Sequence, residues 1–164
     1  MYTRQKALLC MLLAAGRPVS RLELMKWAFL LSRETPSGGG ATFYRFVPYH
    51  FGPFSFALYQ EIGKLVDKGL VEEPISCTWA ASPDVRAGAG KLSPALRRDV
   101  TGIVQRLSDK PVRDIMEYVH DEYPWFTVNS RRWQGQRPRA APAVYTLGYE
   151  GASVDAFLNA LVSS

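Results

Sequence analysis

The stretch "TVNSRRWQGQRPRAAP" (127–142) carries Arg131, Arg132, Arg137 and Arg139 without one acidic residue. Guanidinium forks receive phosphate in pairs of hydrogen bonds. Trp133, between Arg132 and Gln134, offers a ring on which a base or a guanidinium plane can stack. The formal net charge is +5, and taking these four arginines away leaves +1, so cationic strength is concentrated in one segment. Salt-sensitive, sequence-indifferent contact with nucleic acid is the chemistry such a segment performs. The plainer reading is a polar connector kept soluble by its arginines.

Other reactive side chains are scattered. Cys10 and Cys77 form no C-x-x-C pair, and His50 and His120 stand apart from any Cys/His cluster, so neither a disulfide framework nor a metal centre is expected. Cys10 lies in an apolar run, where a thiol is a small core residue. Nothing near His50 in sequence supplies both a nucleophile and an orienting group. In "TLGYEG" (146–151), two glycines between a strand and a helix suit an anion at the helix N-terminus. The full Gly-x-Gly-x-x-Gly pattern is missing, and Glu150 is a lone carboxylate. The expectation is a protein without catalytic residues, cofactor or metal.

The elements that must position these groups are legible from periodicity. Thr3 and Gly16 bracket a first helix, with Leu8, Leu9, Leu12 and Leu13 on one side. "SRLE" is a capping box, Ser20 with Glu23, opening a second helix to about Arg33 that is apolar over most of its circumference. After the loop "ETPSGGGAT", "FYRFVPY" (43–49) alternates as a strand, and its proline puts it at a sheet edge. Gly52-Pro53 reads as a turn into a third helix, capped by Ser55 and ended by Gly69. "LVEE" and "ISCTWAA" read as strands, "SPDVRAGAGK" as an exposed wing bearing Arg86 and Lys91. Two more helices start at Ser93-Pro94 and Pro111. A final strand and helix occupy "AVYTLGYEGASVDAFLNALVSS".

This order predicts a helix-rich α+β fold: a winged helix-turn-helix with a small β-hairpin, added C-terminal helices and a partial α/β element. The boundaries are 1–126 for the winged-helix-like domain, 127–142 for the basic linker and 143–164 for the α/β start. Hydrophobic residues make up 47% and charged residues 21%, and no apolar run approaches the roughly 20 residues a membrane helix needs, so a cytoplasmic chain without a membrane partner is expected.

In a winged helix the third helix faces the major groove. Its outward positions are expected to be Gln60, Glu61, Gly63, Lys64, Asp67 and Lys68, where two acids cancel two lysines and only Gln60 and Lys64 suit base edges. The aromatics between Phe43 and Tyr59 are expected mainly in the core beneath the edge strand. The alternative is a surface cleft in which Phe43, Tyr44 and Tyr49 dock a partner strand.

The segment "FVPYHFGPFSFALYQEIGKLVDKGLVEE" resembles Panacea-type and related phage-associated winged-helix proteins. The matching residues are Tyr49, Phe51, Gly52, Pro53, Phe54 and Ser55, then Leu58, Tyr59, Leu65, Gly69, Leu70 and Val71. The resemblance spans about Lys6 to Phe126 and implies a small prokaryotic adaptor or regulator, often tied to toxin neutralisation, with no catalytic residues. The tail is similar to the opening of the family called domain of unknown function 488, through Tyr145, Thr146, Gly148, Tyr149, Glu150 and Gly151, with Phe157 and Leu161 in its helix. That family continues into an Asp-x-Arg strand, which implies that this chain is the N-terminal region of a longer protein. The function expected first is a nucleic-acid-binding regulatory module, on DNA in preference to RNA. A protein-docking adaptor and a fragment of a larger enzyme are the alternatives.

Overall fold

The computed structural model describes residues 1–83, 85, 92–131 and 153–163, and they form a helix-rich α+β fold. Helix α1 (Thr3–Ala15) begins one residue earlier than expected: Tyr2 is the N-cap, and its N–H donates to the Gln5 side chain at 3.0 Å. Gly16, at φ 64, closes the helix in the left-handed conformation that glycine adopts without a Cβ clash. Strand β1 (Val19–Ser20) follows; it is too short to leave a periodic trace in the sequence.

Helix α2 (Arg21–Glu34) opens with the anticipated capping box. The Glu23 N–H donates to Ser20 Oγ at 3.1 Å, and the Ser20 N–H donates to the Glu23 carboxylate at 3.3 Å. Every residue from Glu23 to Leu31 is buried, so α2 is the central rod of the molecule. Two of those residues are charged. Glu23 receives the Arg17 guanidinium at 2.6 Å, and Lys26 is treated below.

The extended segment is shorter than its alternation suggests. Only β2 (Val47–Tyr49) is a strand, paired antiparallel with β3 (Gly52–Phe54) in the register Val47↔Phe54 and Tyr49↔Gly52. Residues before it are pulled into the core instead: Tyr44 and Phe46 are buried, and Phe46 meets Phe29 edge-on with centroids 5.4 Å apart. Gly52-Pro53, expected as the turn, begins the return strand, and the turn is His50-Phe51. Gly52 still has φ 85.

Helix α3 (Phe56–Asp67) is capped by Ser55, whose Oγ accepts from the Leu58 N–H at 3.4 Å. Strands β4 (Val71–Glu72) and β5 (Thr78–Ala81) come next. With β1 they form an antiparallel sheet in the order β1-β5-β4. The partners Val19↔Trp79 and Val71↔Ala81 set its register.

Helices α4 (Pro94–Leu107) and α5 (Val112–Glu122) pack on α1 and α2 through Leu96, Val100, Val104 and Val119. Glu34, at the end of α2, gathers three partners: the Arg106 guanidinium, the Tyr118 hydroxyl at 2.9 Å and the Tyr123 hydroxyl at 3.1 Å. A 3₁₀ turn at Pro124–Thr127 packs against α6 (Val154–Ser163). There the Trp125 N–H donates to the Asn159 side chain at 3.1 Å, and Arg33 pairs with Asp155 at 2.7 Å. The strand expected before α6 lies outside the described residues. Among the described residues no helix is long and apolar enough to cross a membrane.

Candidate functional site: an aromatic groove floored by a buried lysine

Lys26 sits mid-way along α2, where helical spacing turns it toward the β2–β3 hairpin, and it is 1% exposed. Its ammonium donates to the Phe51 carbonyl at 2.5 Å and the Pro53 carbonyl at 3.2 Å. Pro53 faces Pro48 across the hairpin, and a proline has no N–H to offer a facing carbonyl. No carboxylate among the described residues lies within ion-pair distance of Lys26. Burial lowers its ammonium from the ordinary 10.5 to about 7, because a charge held away from water is disfavoured. Burial and then the Lys26 charge push the nearby His120 imidazole of α5 below its usual range, against the opposing pull of Asp121. Sequence reasoning passed over Lys26. The available signal was a single lysine inside an otherwise apolar stretch of a helix read as buried nearly all round.

Above Lys26 opens a groove of about 440 Å³ between α2, the hairpin and α3. Leu22 and Met25 of α2 form one wall, and Tyr49, Phe51, Pro53 and Phe54 of the hairpin form the other. Tyr59 of α3 and Cys77 before β5 complete the lining. Aromatic rings continue outward from it: Tyr49 lies 5.1 Å from Phe54, Phe54 4.9 Å from Phe56 and 6.0 Å from Tyr59, and Tyr59 6.0 Å from Trp79. Several of these rings face solvent: Phe51 is 48% exposed, Phe56 55% and Tyr59 40%. Contiguous exposed aromatics of this kind mark surfaces that bind something. The Arg21 guanidinium stands over the Tyr59 and Trp79 rings at 5.5 and 5.4 Å, donates to the Tyr59 hydroxyl at 2.7 Å and pairs with Glu73 at 2.5 Å.

The residues expected to act fall into three groups. Gln60 and Lys64 are exposed on α3, as anticipated, but Glu61 is not beside them. It turns inward to the Arg4 fork at 2.5 Å and the Tyr44 hydroxyl at 2.8 Å. Burial works to raise the Glu61 carboxyl, yet Arg4 and Tyr44 outweigh it and hold the group below its ordinary value. The exposed face of α3 therefore carries Lys64 and Lys68 against Asp67 alone.

Among the partner-docking candidates, Tyr49 is exposed and lines the groove, while Phe43 is half-buried. Tyr44 is a correction. It is 5% exposed, its hydroxyl is committed to Glu61, and burial followed by that carboxylate raises its pKa, so it belongs to the core and does not line the groove. The edge of β2 is also not open as expected, because the Asn129 amide donates to the Pro48 carbonyl at 3.4 Å and the Arg131 N–H to the His50 carbonyl at 3.0 Å. Of the arginine segment, Arg131 is described, and its side chain is exposed beside the hairpin turn without an ion-pair partner among the described residues. Arg132, Trp133, Arg137 and Arg139, with Arg86 and Lys91 of the expected wing, lie outside the described residues.

No cluster of three or more His, Cys, Asp or Glu side chains able to hold a metal occurs among the described residues. Comparison of the chain with protein-family models, with curated proteins and with solved structures finds no match. The two resemblances drawn from the sequence rest on the residues quoted for them.

Proposed function

We propose that this chain is a protein-interaction module of the adaptor kind, gripping a partner in the groove between α2, the β2–β3 hairpin and α3. The observation that carries the reading is an apolar, aromatic-walled groove of about 440 Å³ flanked by half-exposed Phe51 and Tyr59. Such a lining removes apolar surface from water when filled, which is how a groove grips the side chains of a partner. The segment that resembles the Panacea-type proteins is the one that builds this wall, which favours the adaptor role that resemblance implies. We read α1, α2, α3 and the sheet as a winged helix with the hairpin inserted between α2 and α3. The strand order β1-β5-β4, with β1 before α2 and β4–β5 after α3, supports that reading. No catalytic role is proposed.

The test is site-specific photo-crosslinking in the cells that make the protein. A photoreactive phenylalanine analogue at Phe51 should yield one discrete protein adduct, and the same group at exposed Gln105 on α4 should not. Replacing Tyr59 by Ser should remove the adduct formed from Phe51. Equal, diffuse adducts from both positions would sink the reading.

A second reading, nucleic-acid binding, is favoured by the inward turn of Glu61. That turn leaves Gln60, Lys64 and Lys68 on the outer face of α3, with Arg131 beside the hairpin.

A further inference from the structure

The charges lining the groove are one-sided. Among the described residues that line it, the charged ones are Lys26 and Arg21, both cationic. Arg21 is matched by Glu73, but its Nε is buried with no hydrogen-bond partner among the described residues. Lys26 has two carbonyl acceptors for three N–H donors and no carboxylate among the described residues. A buried ammonium without a counter-ion is costly, and a ligand that brings a carboxylate relieves that cost while its apolar part fills the groove. The arginine segment of this same chain has the opposite complementarity: it would add cations to cations.

Resting on the adaptor reading, we propose that the occupant of the groove is a partner peptide presenting an aromatic or branched aliphatic side chain next to a carboxylate. The apolar side chain lies between Met25 and Tyr59, and the carboxylate is received by the Lys26 ammonium, with the Arg21 guanidinium adding positive charge to the same lining. The titratable groups that line the groove with Lys26 are Arg21 of its own helix, Tyr49 of the hairpin, Tyr59 of α3 and Cys77 before β5, and His120 of α5 feels its charge. None of these is a carboxylic acid. Binding therefore draws on the protonated lysine, and affinity weakens as pH rises above neutrality, by at most about tenfold per unit.

The experiment is selection of a random twelve-residue peptide library on the full chain, with subtraction on the Tyr59→Ser variant. Binders lost on Tyr59→Ser should carry an aromatic or aliphatic residue within two positions of Asp or Glu. The best of them, measured by fluorescence anisotropy, should bind at least about fivefold more weakly at pH 8.5 than at pH 6.5. Arg21→Gln should weaken binding severalfold and keep the pH slope, and Lys26→Met should lose the slope. If Lys26→Met does not fold, the Arg21→Gln profile decides alone. Groove-dependent binders that are neutral or basic would overturn the carboxylate and leave the adaptor reading standing. Peptides resembling this chain's own 131–139 segment, or dimerisation lost on Tyr59→Ser, would overturn it in favour of a self-contact. No binder that survives subtraction would remove the groove reading itself.

Discussion

Lys26 is the residue on which most depends. An ammonium lowered to about 7 in the folded chain, against 10.5 ordinarily, destabilises the fold wherever it must carry its proton. Below pH 7 both folded and unfolded chains hold that proton and the penalty is complete. Between pH 7 and 10 the unfolded chain holds more protons, so stability should rise with pH, by at most about 1.4 kcal/mol per unit. Denaturant unfolding from pH 7 to 9.5 should show this rise in the native chain and a flatter profile in Lys26→Met. Identical slopes would mean that the lysine is not charged and buried as its contacts imply. Glu61 is the opposite case, a buried carboxylate with a guanidinium and a hydroxyl to receive it.

At the scale of elements, the hairpin is the feature that makes a groove out of a helix face. Its β3 strand starts at Gly52, where φ is 85 and a Cβ would stand 3.2 Å from Lys26 Nζ. Gly52→Ala combines a disfavoured backbone with crowding of the lysine, and should cost about 1–3 kcal/mol in unfolding experiments. Gly63, mid-way along α3 with open space around it, is the control. Gly63→Ala should stabilise by about 0.4–1 kcal/mol, because alanine loses less backbone entropy in a helix. A harmless Gly52→Ala would show that the turn does not need its left-handed conformation. The capping box of α2 was readable because it is local: Ser20 and Glu23 are three residues apart, and each satisfies the other's backbone. The pairing of β2 with β3 was not readable. With prolines at facing positions, the segment resembles a turn until the core claims Tyr44 and Phe46 and leaves the rest to pair.

For the whole molecule, the question is how the cations are shared between partners inside and outside the chain. Arg4, Arg17, Arg21, Arg33, Arg106 and Arg113 are spent on carboxylates of the same molecule. The positive charge left over is therefore carried by groups such as Arg45, Lys64, Lys68 and Arg131, together with the arginine segment. If that surplus meets nucleic acid, binding of a short duplex should weaken steeply from 50 to 200 mM salt. Changing Arg131, Arg132, Arg137 and Arg139 to Ala should then reduce the slope by about three to four phosphate contacts. Absence of any gel shift at 50 mM salt would leave the groove as the functional surface.

By itself the sequence determined the helices, the serine caps of α2, α3 and α4 and the α+β class, because those follow from spacing within a few residues and from turn chemistry. It also determined the concentration of arginine after Thr127. Tertiary structure decided which way each side chain faces. It set Glu61 inward against Arg4, committed Tyr44 to the core, covered the β2 edge with the chain at 124–131, and stood Lys26 beneath Phe51 and Pro53. Those choices depend on contacts between residues far apart in the chain, whose energies no local pattern records.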